Sequence, residues 1–299
     1  MILKQKPVWI SQQRCSLGEN PLWDAANSTL YWINIADPKI YRMSHGEIRE
    51  YDCPKPVGSI YLAGEGRLLV AMRPFFAWLN LGTGAVRRIE SSAGLHADER
   101  FNDGRCDRSG IVWISTIDRC VQRPIGSVVR YLPGFRGSAT PSHAVIGNGI
   151  CFGNDDSHLY FSDSRGRAIY RYRKSEHGLA GRELFAALDG TPGRPDGCTV
   201  DAEGCLWSAR IGGARIDRYL PDGRLVDSLE LPVADPTHCT FGGPDLRTLF
   251  VTSASQHSGA QSAHGDLSGA VLAYELDVQG MPEHRIQSAY WRDENSLPI

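Results

Sequence analysis

Polar residues recur at a nearly constant distance ahead of similar apolar runs in this chain. Glu19, Asn148 and His238 each lie 11 residues before such a run begins, and Asp196 lies 10 residues before one. The equivalent place in another repeat holds Arg100-Phe101-Asn102. Two carboxylates and an amide oxygen suit a hard divalent cation, which prefers oxygen ligands and keeps positions free for water or substrate. The spacing therefore predicts a metal site formed by Glu19, Asn148 and Asp196.

Each of these assignments has a simpler alternative. Beside a metal, Arg100 would grip an anionic or oxygen-rich substrate, but it could instead form a surface ion pair with Asp98 or Glu99. The sequence Pro195-Asp196-Gly197 also predicts a tight turn before a strand, because Asp-Gly and Asn-Gly are common turn sequences. The shared register across the repeats favours a functional site over isolated turns.

Six short apolar runs, each preceded by turn residues, would have to position these side chains. They are Leu30–Ile33, Leu68–Ala71, Ile111–Ile114, Leu159–Ser162, Leu206–Ala209 and Leu249–Thr252. Their first residues are 38 to 48 positions apart. A period in the forties with strand and turn content is typical of a β-propeller, in which every repeat forms a blade. Loops entering the innermost strands would place the polar residues at one mouth of the central channel.

Several repeats continue with a third strand, as in Lys39–Arg42, Ala168–Tyr172 and Arg215–Tyr219. No stretch has convincing helical periodicity over 11 or more residues, which disfavours a two-domain α/β protein. The sequence therefore predicts an all-β fold, a single six-bladed β-propeller domain over residues 1–299 with four-stranded antiparallel blades. Asp201–Leu206 is interpreted as the hairpin that holds Asp196 at the channel mouth.

Composition excludes several classes of protein. With 299 residues and a net charge of −2, the chain has no basic patch for nucleic acid. No apolar run approaches the roughly 18 residues of a membrane span. The 8 cysteines form no Cys-x-x-Cys pair, so we expect free, mostly buried thiols and no zinc ribbon. Without a signal peptide, a cytoplasmic location is predicted. The sequence does not indicate an oligomeric state.

Two segments, 119–127 and 253–269, are predicted to be loops. The second is rich in Ser, Gly, Gln and His, and it contains His257 and His264. A histidine pair can bind a metal, but surface histidines are far commoner than metal ligands. The polar-loop interpretation is therefore favoured for this pair.

Five stretches carry a resemblance that extends, in order, over residues 15–275. They are Gly18–Trp23, Arg100–Gly104, Asn148–Ile150, Pro195–Gly197 with Asp201–Trp207, and Phe241–Asp245. Each motif alone is weak, whereas the ordered set is specific. Together they resemble the regucalcin/gluconolactonase family, which includes relatives of senescence marker protein and of luciferin-regenerating enzyme.

The resemblance implies a six-bladed propeller with one divalent metal at the channel mouth. The family's three protein ligands correspond to Glu19, Asn148 and Asp196. Its substrate-contacting arginine and asparagine correspond to Arg100 and Asn102. The typical activity of the family is hydrolysis of sugar-acid lactones, so a small sugar lactone is the expected partner.

One departure from the family affects the substrate. Some relatives carry a substrate-binding glutamate after the third run, whereas Thr116–Val121 contains none here. The identity of the lactone therefore does not transfer from the resemblance. His238 stands where relatives vary, which makes it a candidate residue for substrate binding and specificity.

The predicted function is that of a metal-dependent hydrolase that opens an aldonolactone to the free acid. A cation such as Ca²⁺, Mg²⁺, Mn²⁺, Fe²⁺ or Zn²⁺ would act as a Lewis acid on the carbonyl oxygen. Asp196 would be the general base for the attacking water. Two other functions stay open: a non-catalytic, Ca²⁺-binding regulatory propeller and a phosphotriesterase-like hydrolase that uses the same metal.

Overall fold

The structure is a computed structural model of the chain. It describes residues 2–3, 5–64, 66–72, 75–89, 95–132, 134–256, 267–287 and 296–298. Within these ranges there is no α-helix. The histidines of the predicted polar loop, His257 and His264, lie outside the described residues. No helix of the described part is long and apolar enough to cross a membrane.

The described strands form six sheets that correspond to the six predicted repeats. Two short strands come first, β1 (Ile2–Leu3) and β2 (Trp9–Ile10). The first three blades contain β3 (Gly18–Asp24), β4 (Thr29–Asn34), β5 (Lys39–Ser44) and β6 (Glu47–Asp52); β7 (Val57–Leu62), β8 (Arg67–Met72), β9 (Phe75–Asn80) and β10 (Val86–Ile89); and β11 (Glu99–Cys106), β12 (Val112–Asp118), β13 (Ser127–Leu132) and β14 (Arg136–Pro141). The next two blades contain β15 (Gly147–Phe152), β16 (His158–Asp163), β17 (Ala168–Ser175) and β18 (Gly178–Ala187); and β19 (Arg194–Val200), β20 (Leu206–Ile211), β21 (Arg215–Tyr219) and β22 (Leu225–Glu230). The last strands are β23 (Pro236–Gly242), β24 (Thr248–Ser253), β25 (Leu272–Glu275) and β26 (Ser296–Pro298).

The prediction of a six-bladed propeller with four-stranded antiparallel blades is confirmed. Every apolar run found in the sequence belongs to the second strand of its blade, from β4 to β24. These strands are buried because adjacent blades pack on both of their faces, and Trp113 and Trp207 occupy equivalent positions in two of them. The core therefore lies between the blades, where the β-branched and aromatic residues of these strands meet.

The start of the chain completes the last blade. Strand β2 pairs antiparallel with β25, with Trp9 opposite Ala273. The sixth sheet thus takes its outermost strand from the N-terminal end of the chain and its other three strands from the C-terminal end. This arrangement joins the two ends of the ring without a covalent bond, and β2 covers the edge of β25 that an incomplete blade would expose.

A segment after β25 crosses the channel at the end where the innermost strands finish. Gly280 pairs with Asp201 of the fifth blade. Glu283 forms a buried ion pair of 2.8 Å with Arg105 of the third blade, and the backbone N–H of Ile286 donates to Leu62 O of the second blade. In the described part of the chain, this segment therefore covers the end of the channel that is opposite the start of the innermost strands.

Candidate active site

Every innermost strand is irregular at the level of the predicted site residues. Its pairing with the second strand shifts register there, as between Glu19 and Leu22 or between Pro195 and Cys198; the same shift occurs in β7, β11, β15 and β23. A β-bulge leaves a residue unpaired and turns its side chain away from the regular alternation. The prediction of a tight turn at Pro195–Gly197 is therefore wrong, because Asp196 lies inside β19 and strand pairing continues on both sides of it.

Gly149 lets two of these bulges approach each other. Its φ of 59° lies in the left-handed region, and a Cβ there would come within 2.2 Å of Ser162 Oγ and 2.8 Å of Asp196 O. Only glycine fits this conformation and this close backbone contact. The strand that carries Asn148 can therefore lie directly against the backbone of Asp196.

Five of the six predicted site residues line one cavity of about 290 Å³ at the channel mouth. They are the three predicted metal ligands and the two predicted substrate contacts: Glu19, Asn148, Asp196, Arg100 and Asn102. They come from the first, third, fourth and fifth blades. The common register of the repeats therefore brings together residues that are far apart in the chain.

Hydrogen bonds fix the amides on one side of the cavity. Arg100 Nη1 donates to Asn102 Oδ1 at 3.0 Å. Asn102 Nδ2 donates to Asn148 Oδ1 and, at 2.9 Å, to Gly147 O, while Asn148 Nδ2 donates to Ser164 Oγ at 3.0 Å. These bonds set the orientation of both amide groups, because their nitrogen atoms can only donate.

The structure does not show the alternative role of Arg100 in a surface ion pair. Among the described residues Arg100 forms no ion pair with Asp98 or Glu99. Asp98 instead pairs with Arg123 at 2.6 Å, and Glu99 Oε1 accepts a hydrogen bond from Thr116 Oγ1. Burial lowers the pKa of Arg100 to about 10, although the nearby Glu19 carboxylate opposes that shift.

The two carboxylates of the cavity are buried, and few hydrogen bonds stabilise their charged forms. Glu19 and Asp196 are 8% and 4% exposed. Glu19 Oε2 accepts the backbone N–H of Asn20 at 3.1 Å, whereas Asp196 Oδ1 has no hydrogen-bond partner in the described structure. Burial raises the pKa of Glu19 to about 7. Burial, together with the charges of Glu19 and Asp103, raises the pKa of Asp196 well above its usual value.

His238 lies apart from the other predicted site residues. Its side chain is fully buried and is not among the residues that line the cavity. The backbone N–H of Cys239 donates to Nδ1 at 2.8 Å. Nε2 lies 3.2 Å from Asp103 Oδ1, and because a carboxylate can only accept, the Nε2–H group donates this hydrogen bond. This burial could not be predicted from the sequence, because His238 shares the register of residues that do reach the cavity.

Asp103 is a buried acidic residue, in contact with His238, that was not among the site residues predicted from the sequence. Its carboxylate accepts hydrogen bonds from Asn20 Nδ2, from the backbone N–H of Ile150 and from His238. Burial alone would raise the pKa of Asp103, but His238 and Arg105 outweigh burial and hold that pKa below its usual value. The only signal was its place after Asn102, where a bulge can turn two consecutive side chains toward the channel.

A second acidic group lies at the opposite end of β19. Side-chain atoms of Asp201, Glu203 and Cys205 lie within 4.8 Å of one another. The guanidinium of Arg218 already contacts both carboxylates, at 2.8 Å and 2.6 Å. This group is a structural ion pair around a turn, which agrees with the interpretation of Asp201–Leu206 as a supporting hairpin.

Comparison with known proteins gives one consistent family. The family model described as SMP-30/Gluconolactonase/LRE-like region matches residues 17–255. The chain is 34% identical to 6-deoxy-6-sulfogluconolactonase of Pseudomonas putida, over 92% of this chain and 96% of that protein. It is 33% identical to L-arabinolactonase of Azospirillum brasilense, over 92% and 94%.

A solved structure shares the whole architecture. It is regucalcin of Agrobacterium tumefaciens, described as a calcium-binding protein, with a TM-score of 0.88 and 26% identity. The likeness covers 96% of this chain and 99% of that one. The family resemblance predicted from the ordered motifs is confirmed, since the matched residues 17–255 contain every one of those motifs.

Proposed function

Because this chain belongs to the SMP-30/gluconolactonase/LRE-like family, we propose that it hydrolyses a sugar-acid lactone to the free acid in a metal-dependent reaction. Two relatives that it matches along nearly their whole length are named as sugar lactonases. The observation that carries the proposal is the unpartnered Oδ1 of buried Asp196, a residue that lines the same cavity as Glu19, Asn148 and Arg100.

The residues of the cavity fit a divalent cation. Glu19, Asn148 and Asp196 would hold it through two carboxylates and an amide oxygen, the donor set that hard cations prefer. Burial raises the pKa of both carboxylates, so a bound cation would stabilise charged forms that the protein alone disfavours. When bound, such an ion polarises a carbonyl group and stabilises developing negative charge. Ca²⁺ is one candidate, as are Zn²⁺, Mn²⁺, Mg²⁺ and Fe²⁺.

Asp196 is the proposed general base. Its carboxylate accepts the proton of the water that attacks the lactone carbonyl carbon, and it returns the proton to the ring oxygen as the ester bond breaks. A lactone is an ester whose ring oxygen leaves more readily than the nitrogen of an amide, so a carboxylate of modest basicity is sufficient. An amide would require a stronger base.

Arg100 and Asn102 are the proposed substrate contacts. The bond between Arg100 Nη1 and Asn102 Oδ1 holds the two side chains in a fixed relation, so that they can orient oxygen atoms of the sugar ring. His238 is proposed to act on specificity indirectly. The His238 ring forms a hydrogen bond with Asp103. Asp103 in turn accepts hydrogen bonds from Asn20 and Ile150 and so positions the strands that carry them.

A panel of pentono- and hexonolactones tests the proposal. Acid release is measured with protein stripped by a chelator and then loaded with each divalent cation. We expect hydrolysis of at least one lactone, its loss on stripping and its recovery on loading. Asp196→Ala should be inactive, whereas Asp189→Ala, which removes an exposed carboxylate, should behave as the wild type. Full activity of stripped Asp196→Ala protein would refute the scheme.

The similar regucalcin described as calcium-binding favours one alternative, a propeller that binds Ca²⁺ without catalysis. Such a protein would show a rise in melting temperature with Ca²⁺ that depends on Glu19 and Asp196. It would release no acid from any lactone of the panel. The two functions therefore separate in a single set of samples.

A further inference from the structure

Arginine is the commonest charged residue around the cavity. Arg100, Arg165 and Arg194 line it, and Glu19 and Asp196 are the only acidic residues that do so in the described part of the chain. The protein as a whole has a net charge of −2. The mouth of the channel therefore has the opposite balance of charge to the rest of the molecule, before any cation is counted.

Arg165 and Arg194 lie next to the proposed metal ligands. Arg194 begins β19, two residues before Asp196. Arg165 follows Ser164 in the turn between β16 and β17, and Ser164 Oγ accepts the hydrogen bond from Asn148 Nδ2. Both arginines thus belong to the fourth and fifth blades, on the same side of the mouth.

Neither guanidinium group is bonded to the described part of the molecule. No hydrogen bond or ion pair joins the side chain of Arg165 or Arg194 to a described residue, although the positive charge of Arg194 lowers the pKa of Asp196 against the effect of burial. Neighbouring arginines differ in this respect: Arg210 pairs with Asp217 at 2.9 Å, and Arg167 donates to the backbone oxygen of Leu188. Arg165 is exposed and Arg194 half-buried, so both guanidinium groups keep donors free for a ligand.

Apart from Asn102, Asn148, Ser164 and Gln256, the rest of the cavity wall is apolar. Ile117, Val121, Ile146 and Ile211 line it. These side chains cannot bond the hydroxyl groups of a sugar, and they add no negative charge that would repel an anion. A charged substituent of a ligand would therefore meet two unpaired guanidinium groups beside a low-polarity surface, where charge-assisted hydrogen bonds are stronger than in open water.

We propose that Arg165 and Arg194 form a subsite for an anionic substituent of the lactone, a carboxylate, sulfonate or phosphate carried away from the reacting carbonyl group. The proposal rests on the lactonase function and narrows its substrate class. A guanidinium group presents paired N–H donors that match the oxygen atoms of all three anions. The preferred substrate is then an acidic sugar lactone, and the neutral aldonolactone is the poorer one.

The test compares two lactones with the same ring, gluconolactone and its analogue with a sulfonate at carbon 6. We expect wild-type kcat/KM to favour the sulfonated lactone by about tenfold or more, since hydrogen bonds to charged groups are stronger than those between neutral groups. The preference should fall about tenfold in the Arg165→Gln/Arg194→Gln variant and decline with salt. Analogues with a carboxylate or phosphate at carbon 6 distinguish the three anions.

Arg136→Gln is the matched control, because Arg136 is an exposed arginine on the outermost strand of the third blade. It should leave the preference unchanged. Equal use of neutral and anionic lactones by the wild type, or an equal loss of both in the double variant, would overturn the subsite. If no lactone is hydrolysed, the proposed function fails. Calorimetric binding of 6-deoxy-6-sulfogluconate by wild type and double variant then decides the subsite separately, and equal affinities refute it.

Discussion

Two buried aspartates at opposite ends of β19 have opposite surroundings. Asp201 Oδ1 accepts the backbone N–H groups of Glu203 and Cys205. Its Oδ2 accepts Trp207 Nε1 at 2.8 Å and Arg218 Nε at 2.9 Å. Asp196, five residues earlier, is almost as buried, yet its Oδ1 has no partner in the described structure.

The same difference separates the two ends of the channel. At the end covered by the segment after β25, Asp107 accepts hydrogen bonds much as Asp201 does. Trp113 Nε1 and Lys174 Nζ both donate to its Oδ2. Arg105 and Glu283 also pair there. At the mouth, by contrast, Glu19 and Asp196 keep raised pKa values. A buried charge without a partner costs stability, so its presence at the mouth indicates that this end is organised for a ligand.

The largest effect is expected from Asp196→Asn. Turnover of the best lactone should fall about 1,000-fold or more, since the base and a proposed ligand are lost together. The free energy of unfolding of the metal-free variant should equal or exceed that of the wild type, because an unpaired buried charge is removed. Initial rates and urea denaturation measure the two quantities. A large loss of stability would mean that Asp196 is structural, like Asp201.

Asp201→Asn should give the reverse pattern. We expect the free energy of unfolding to fall by about 2–4 kcal/mol, because Arg218 loses a buried partner. Activity per folded molecule should change only a few-fold, because Asp201 does not line the cavity. The exposed Asp189→Asn serves as control, with no effect on either quantity. Inactive but stable Asp201→Asn protein would contradict the division between the two ends.

A smaller effect concerns pH and Glu19 in the metal-free protein. Burial raises its pKa from 4.5 to about 7, so the folded state binds this proton more tightly than the unfolded state. The contribution of Glu19 to the free energy of unfolding is therefore fully present below about pH 4.5 and is lost as pH rises through 7. Glu19→Gln should therefore gain stability relative to wild type between pH 5 and 7.5, by up to about 3 kcal/mol.

Urea denaturation in the presence of a chelator, repeated along this pH range, measures that difference for Glu19. Glu47→Gln is the control, because Glu47 is exposed on an outer strand and should give a curve parallel to the wild type. A parallel curve for Glu19→Gln as well would show that Glu19 has an ordinary pKa and that the mouth carries no uncompensated charge.

The blades could be predicted from local patterns because each strand is a short apolar run bounded by turn residues. Leu206–Ala209 and its five counterparts all lie in second strands. The polar positions ahead of them could be predicted for a related reason. Since the blades repeat, equal distances along the chain become equal heights in the channel, and this placed Glu19, Asn148 and Asp196 in one cavity.

The bulges were less visible in the sequence. Pro195-Asp196-Gly197 has turn residues, yet it pairs as a strand on both sides of a register shift. Local turn preference gave way to pairing with β20, which supplies hydrogen bonds on either side of the irregular position. The unpaired orientation of Asp196 follows from that bulge and not from a turn.

Sequence alone was sufficient to predict the number of blades and their second strands. It also predicted that five of the six proposed site residues lie together, because these features depend on short patterns and their period. Closure of the ring decided the rest. Ring closure places His238 against Asp103, 135 residues away. His238 therefore does not line the cavity, although its position in the repeat matches that of residues that do. Ring closure also leaves Arg165 and Arg194 unpaired in the described structure beside Asp196. Which charges find partners depends on contacts between blades, and no local pattern contains those contacts.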